Sequence, residues 1–142
     1  MEFSVHIPFV ELLGFELLSM DGGEAEIAFA PADEHLNSFD VVHGGASMTL
    51  MDVVMAHAAR SVEPAMGCIT IEMKTSFMRA ARGQLLAKGK LLHRTATMAF
   101  AEASIFDAAG KLCCHATGTF KFVARLPVSP GSAQPLNRIS ID

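Results

Sequence analysis

The segment Val42-His43-Gly44-Gly45 leads into a long apolar stretch of the chain. Two glycines at the start of a helix let a ligand approach the backbone closely, because no Cβ intrudes. The first amides of a helix lack intrahelical acceptors and lie at the positive end of its dipole. Such a terminus stabilises an anion, or a carbonyl oxygen that becomes one during a reaction. A tight loop-to-helix turn would use the same two glycines. Asp52 follows among Met48, Thr49, Leu50, Met51, Val53, Val54 and Met55. A carboxylate in that setting is costly unless paired or hydrated. It lies too far inside the helix to be a cap. It reads either as a satisfied buried acid or as a general base whose pKa is set by partial burial.

Thr70 is the hydroxyl nearest the start of a strand, a position that β-propensity alone would explain. Charge is placed unevenly. Between Met73 and Ala101 there is no acid, whereas six of the eleven bases fall there: Lys74, Arg79, Arg82, Lys88, Lys90 and Arg94. That stretch suits either a phosphate-bearing small ligand or a solvated strand surface. His43 precedes the glycines, and His6, His35, His57, His93 and His115 are scattered. No pair of them has helical i, i+4 spacing with a third ligand nearby, so no metal site is expected.

The elements that must position these residues follow from pattern and composition. The 142 residues suffice for one domain with its own core. A hydrophobic content of 51% and a mean hydropathy of +0.35 exclude a disordered chain and hint at self-association. A net charge of −4 argues against a general nucleic-acid binder. No apolar run approaches the roughly 18 residues of a membrane span, and Asp52 interrupts the best candidate, 46–59. The N-terminus has no basic segment, so no secretory signal is expected. The three cysteines, Cys68, Cys113 and Cys114, form no CxxC and suit a reducing cytoplasm.

The pattern predicts a short helix over 6–14 stopped by Gly14, then a hairpin of 15–20 and 24–30 around Asp21-Gly22-Gly23. Residues 31–43 read as a loop, and Gly44 to about Ser61 as one helix, apolar nearly all round and therefore buried. Strands are predicted over 68–78, 84–93, 95–107 and 111–123. In the first of these, alternation places Ile69, Ile71, Met73 and Phe77 on one face, with Thr70, Glu72, Lys74 and Ser76 opposite. Residues 126–142 hold three prolines and read as a tail after a domain of 1–125. A single helix that is apolar on all sides must be wrapped by the sheet, giving an α+β fold with an antiparallel sheet curled around it.

The spaced set Asn37, His43-Gly44-Gly45 and Asp52 resembles the hotdog-fold acyl-CoA thioesterases of the PaaI-like (4-hydroxybenzoyl-CoA thioesterase) superfamily. The resemblance continues through Ile69-Thr70-Ile71-Glu72-Met73, the segment 76–81, Leu92-His93-Arg94-Thr95-Ala96 and Ala116-Thr117-Gly118-Thr119-Phe120, and covers roughly residues 10–123. It implies a six-stranded antiparallel sheet around one long helix, assembled as homodimers or homotetramers. It also implies hydrolysis of an acyl-CoA to a carboxylic acid and free CoA, with no cofactor or metal. In that reading the Gly44 amide polarises the carbonyl with help from Asn37, and Asp52 activates water held by Thr70. His43 supports the loop or the thioester, and Arg79, Arg82, His93 and Arg94 contact CoA. Two departures stand out: Thr70 where many relatives carry serine, and Ala80 or Ala81 where proline is typical. The rival reading is a non-catalytic acyl-CoA-binding module of the same fold. A hotdog-type hydratase is a further rival, and Asp40 with His43 would be a poor acid–base pair for one.

Eight residues separate Gly44 from Asp52 on one helix, which is about 12 Å along its axis. If both serve one reaction, Asp52 must come from a second subunit whose helix runs antiparallel to the first.

Overall fold

A computed structural model of the chain describes residues 1–124; the expected tail of 126–142 and the boundary at 125 lie outside the described residues. Helix α1 (Pro8–Leu13) begins on proline and buries Val10 and Leu13 before Gly14 ends it in the left-handed region. Strands β1 (Glu16–Asp21) and β2 (Glu24–Phe29) form the expected hairpin. Gly22 and Gly23 take φ of 59° and 87° at its turn, which side chains with a Cβ rarely adopt. The loop that follows contains a 3-10 turn at Asp33–His35 and a bridge between Leu36 and Val42. Helix α2 (Gly44–Arg60) comes next, then β3 (Met66–Phe77), β4 (Leu85–Arg94), β5 (Met98–Phe106) and β6 (Leu112–Ala124).

All six strands form one sheet in the order β1-β2-β4-β5-β6-β3, and every pairing is antiparallel. The sheet wraps α2, as burial of an apolar helix requires. Leu50, Met51, Val54, Met55 and Ala58 of the helix are fully buried against Ile27, Phe29, Ile105 and Phe120, each large side chain contributing roughly 1.5–3 kcal/mol. Strand residues over the helix are small: Ala87, Ala99, Ala101 and Ala103 are all at most 1% exposed. At Gly89 the approach is closest, since a Cβ there would lie 2.5 Å from the Val54 carbonyl oxygen.

Three expectations are corrected. β5 starts at Met98 rather than 95, because the Thr95 hydroxyl accepts from Thr97 N and Met98 N at 3.3 and 2.9 Å and closes a turn. Helix α2 is not covered all round: Met48 is 36% exposed and Asp52 half-buried, on a stripe that the chain's own sheet leaves open. The strict alternation along β3 also fails. Thr70 pairs with Phe120 and Glu72 with Thr119, so Ile71 is an extra residue, a bulge that the partner strand does not match. Ile71 is 53% exposed. The bulge switches parity, and Thr70 and Met73 both face α2.

Candidate active site

His43 closes the loop as the N-cap of α2. Its ring Nδ1 accepts from Gly45 N–H at 2.8 Å, and its carbonyl accepts from Ala46 and Ser47 at 2.9 and 3.2 Å. Those three amides are thereby occupied. The Gly44 N–H has no acceptor among the described residues, so the first amide of the helix is the one left for a ligand. The two glycines have separate reasons. A Cβ on Gly45 would lie 3.0 Å from His43 Nδ1, and one on Gly44 would lie 3.2 Å from the Phe77 ring.

Asn37 shapes the approach to Gly44. Its Oδ1 accepts from Phe39 N at 2.8 Å and Val41 N at 3.4 Å, a side-chain turn that asparagine favours. Asp40 within it has φ of 58°. With the oxygen held by two backbone donors, the amide cannot be flipped without setting donor against donor, and Nδ2 is the group left over. Asn37, Gly44, Ser47, Phe77, Arg79 and Cys114 line one cavity of about 360 Å³.

Asp52 belongs to a second recess. Thr70 Oγ1 donates to Asp52 Oδ1 at 2.6 Å. Burial pushes the Asp52 carboxyl above its ordinary value of 3.8, and the Thr70 hydrogen bond partly offsets this. Gly45, Met48, Thr49 and Met73 complete an open slot of about 390 Å³. The slot depends on the β3 bulge, which brings Thr70 and Met73 to the same side. Thr75, further along β3, has a buried Oγ1 with no hydrogen-bond partner among the described residues. Neither Ser47 nor Thr75 stands out in the sequence. A serine in a helix and a threonine in a strand carry no signal by themselves.

The structure thus brings Asn37, His43 and Gly44 together, and Asp52 with Thr70, but as two recesses. The basic residues also divide. Arg79 lines the Gly44 cavity and lies 4.0 Å from Asp107, and exposed Arg82 follows it on the loop before β4. His93 and Arg94 end β4, about 30 Å further along an extended strand. There the His93 ring lies 6.1 Å from that of Phe100. Arg94 donates to Glu63 at 2.8 Å and covers the Phe122 ring at 4.5 Å. The four do not form one cluster within a chain. Among the described residues, no three His, Cys, Asp or Glu side chains are grouped to hold a metal ion.

Comparison with known proteins decides the family. The model described as "Thioesterase superfamily" matches residues 39–114, a span holding Gly44, Asp52 and Thr70 and the lining of the Gly44 cavity apart from Asn37. The chain belongs to the thioesterase superfamily. This places it among thioester and ester hydrolases. The archaeal protein named "Putative esterase" from Archaeoglobus fulgidus is 34% identical over 114 residues, covering 77% of this chain and 71% of that one. "Putative esterase SSO2140" from Saccharolobus solfataricus is 29% identical over 111 residues, with 78% and 79% covered. Among solved structures, the conserved protein PA5202 from Pseudomonas aeruginosa superposes with a TM-score of 0.79 at 30% identity, over 83% of this chain and 95% of that one. The E. coli PaaI protein superposes with a TM-score of 0.76 at 21% identity, over 82% and 84%. These neighbours share the hotdog fold, the antiparallel sheet around one long helix described above. No helix among the described residues is long and apolar enough to cross a membrane.

Proposed function

We propose that this thioesterase-superfamily chain hydrolyses an acyl-CoA thioester to a carboxylic acid and free CoA. The observation that carries the reading is the pair of unspent groups: a helix-terminal Gly44 N–H without an acceptor among the described residues, and an Asp52 carboxylate held by one hydroxyl. The thioester carbonyl oxygen rests on the Gly44 amide, with Asn37 Nδ2 as a neighbouring donor. Asp52 takes a proton from a water held also by Thr70, and the water oxygen bonds to the carbonyl carbon. Negative charge moves to the carbonyl oxygen, where the amide and the helix dipole stabilise it. The C–S bond then breaks as the carbonyl re-forms, CoA leaves as a thiolate, and the proton held on Asp52 passes to that thiolate, giving free CoA and restoring the base. A thiolate is a good leaving group, so a full nucleophile–base triad is not needed.

The two recesses support a site shared between chains. About 12 Å of helix axis separates Gly44 from Asp52, more than one short carboxylate side chain can bridge. A partner chain whose α2 runs antiparallel would bring its Asp52 to this chain's Gly44. β3 is an edge strand, and Ile71, Phe77 and Met78 on or beside it are each more than half exposed. The open stripe of Met48 and Asp52 on α2 also favours a second copy. The reading is therefore a homodimer, alone or paired into a tetramer. Arg79, which lines the Gly44 cavity, and exposed Arg82, three residues on, are the phosphate contacts in this reading, whereas His93 and Arg94 would reach CoA only in a neighbouring subunit's site.

Release of free thiol from a panel of aromatic, short-chain and medium-chain acyl-CoAs, followed with a thiol-reactive dye, tests the function. Thiol release expected from at least one supports hydrolysis. Tight binding without release would favour the non-catalytic module.

A further inference from the structure

Ser47 is 1% exposed and lines the same cavity as Gly44. The next residues that α2 buries, Leu50, Met51, Val54 and Met55, are apolar. A hydroxyl in that row weakens the fold unless it is hydrogen-bonded. The Ser47 backbone N–H is already used by the His43 carbonyl. Thr49 disposes of its hydroxyl on the Gly45 carbonyl at 2.8 Å, the usual outlet within a helix. Ser47 does not. Its hydroxyl meets the Cys114 sulfur, a weak partner. Burial pushes the Cys114 thiol up to about 11, so the sulfur stays protonated and is no anion to hold the hydroxyl. Helical side chains lean toward the N-terminus, and a residue at i+3 covers the turn that begins at i. An oxygen that accepts from Gly44 N–H is therefore within reach of Ser47 Oγ.

We infer that the Ser47 hydroxyl is a further donor to the thioester carbonyl oxygen, acting beside the Gly44 amide one helical turn away. This rests on the acyl-CoA reading above. When substrate enters, the hydroxyl exchanges the Cys114 sulfur for the carbonyl oxygen; no bond to the serine forms or breaks. The new hydrogen bond strengthens as charge grows on that oxygen, so it acts on kcat more than on KM.

Two inert CoA derivatives separate this role from packing, both built on the acyl group that the wild type hydrolyses fastest. One is the ketone, in which CH2 replaces the thioester sulfur and the carbonyl is kept. The other is the S-alkyl thioether, which keeps sulfur and has no carbonyl. Calorimetry on the full chain should show Ser47→Ala weakening the ketone roughly tenfold and leaving thioether affinity unchanged. Turnover of the matching thioester should fall roughly 10–100-fold. Equal losses for both derivatives, or none for either, would overturn the inference. A wild type that releases no thiol from any acyl-CoA of the panel would instead sink the acyl-CoA reading itself.

Discussion

The Thr70 hydroxyl donates to Asp52 Oδ1 at 2.6 Å, joining strand β3 to the middle of helix α2. Two influences meet on this carboxylate. Burial raises its pKa, and the hydrogen bond from Thr70 lowers it, burial being the larger. A base reached by solvent on one side and raised in basicity on the other is suited to taking a proton from water.

Asp52→Asn should lower kcat by about 10²-fold or more, the scale of losing a general base. Its effect on stability has the opposite sign. Because burial raises the Asp52 pKa above 3.8, the folded chain binds this proton more tightly than the unfolded chain. The contribution of Asp52 to stability is therefore greatest below its unfolded value and falls as pH rises through the folded one. At neutral pH the variant should melt at or above the wild type, with the gap closing in acid. Thermal melts at several pH values, run beside turnover, check both halves. Wild-type turnover in a folded Asp52→Asn would remove Asp52 from the mechanism.

Thr70→Ala removes the influence that lowers the Asp52 pKa. Activity needs the ionised form, so it falls as pH drops through that pKa. The acidic limb of the kcat/KM profile should move to higher pH in the variant, with a loss of roughly tenfold on the plateau. An unmoved limb would show that Thr70 does not act on Asp52.

Much of this arrangement is legible in the sequence. The helix over 44–60 follows from a Pro-free apolar run after a glycine pair, and the wrapped sheet follows from the need to bury it. The faces of β3 are not legible. A bulge is a mismatch between two strands, and Ile69-Thr70-Ile71-Glu72 reads as perfect alternation until β6 is laid beside it. The basic stretch misleads for a similar reason. The extended β4 (Leu85–Arg94) lies between residues that are close in sequence, so Arg79, before the strand, and Arg94, at its far end, part company. His43 could be suspected from its place before the glycines, yet its ring serving as the cap for Gly45 N–H is a matter of loop geometry.

Gly89→Ala tests the close passage of β4 over α2. The new Cβ would meet the Val54 carbonyl oxygen at 2.5 Å, and neither backbone can give way as a flexible side chain would. Destabilisation of about 1–3 kcal/mol or more is expected in chemical denaturation. A neutral outcome would mean that the helix shifts freely within the sheet.

Thr75→Val replaces a hydroxyl that is buried and without a partner among the described residues by a near-isosteric methyl. Removing an unsatisfied polar group is neutral or stabilising, by up to about 1 kcal/mol in denaturant titration. Clear destabilisation would show that the hydroxyl is satisfied in the assembled protein, for instance by the second chain.

A site shared between two chains is tested most directly by mixing two inactive variants, Asp52→Asn and Gly44→Val. Valine at 44 would crowd the Phe77 ring, which a Cβ there already approaches to 3.2 Å, and blocks the amide. In a mixed dimer both lesions fall in one site, and the other site receives an intact Gly44 and an intact Asp52. Co-refolding equal amounts makes about half of the dimers mixed, each with one working site of two, so roughly a quarter of wild-type thiol release should return. Chain exchange is confirmed separately by a size tag on one variant. A mixture that exchanges chains and stays inactive would contradict the shared site, and Gly44 and Asp52 could then not act on one thioester.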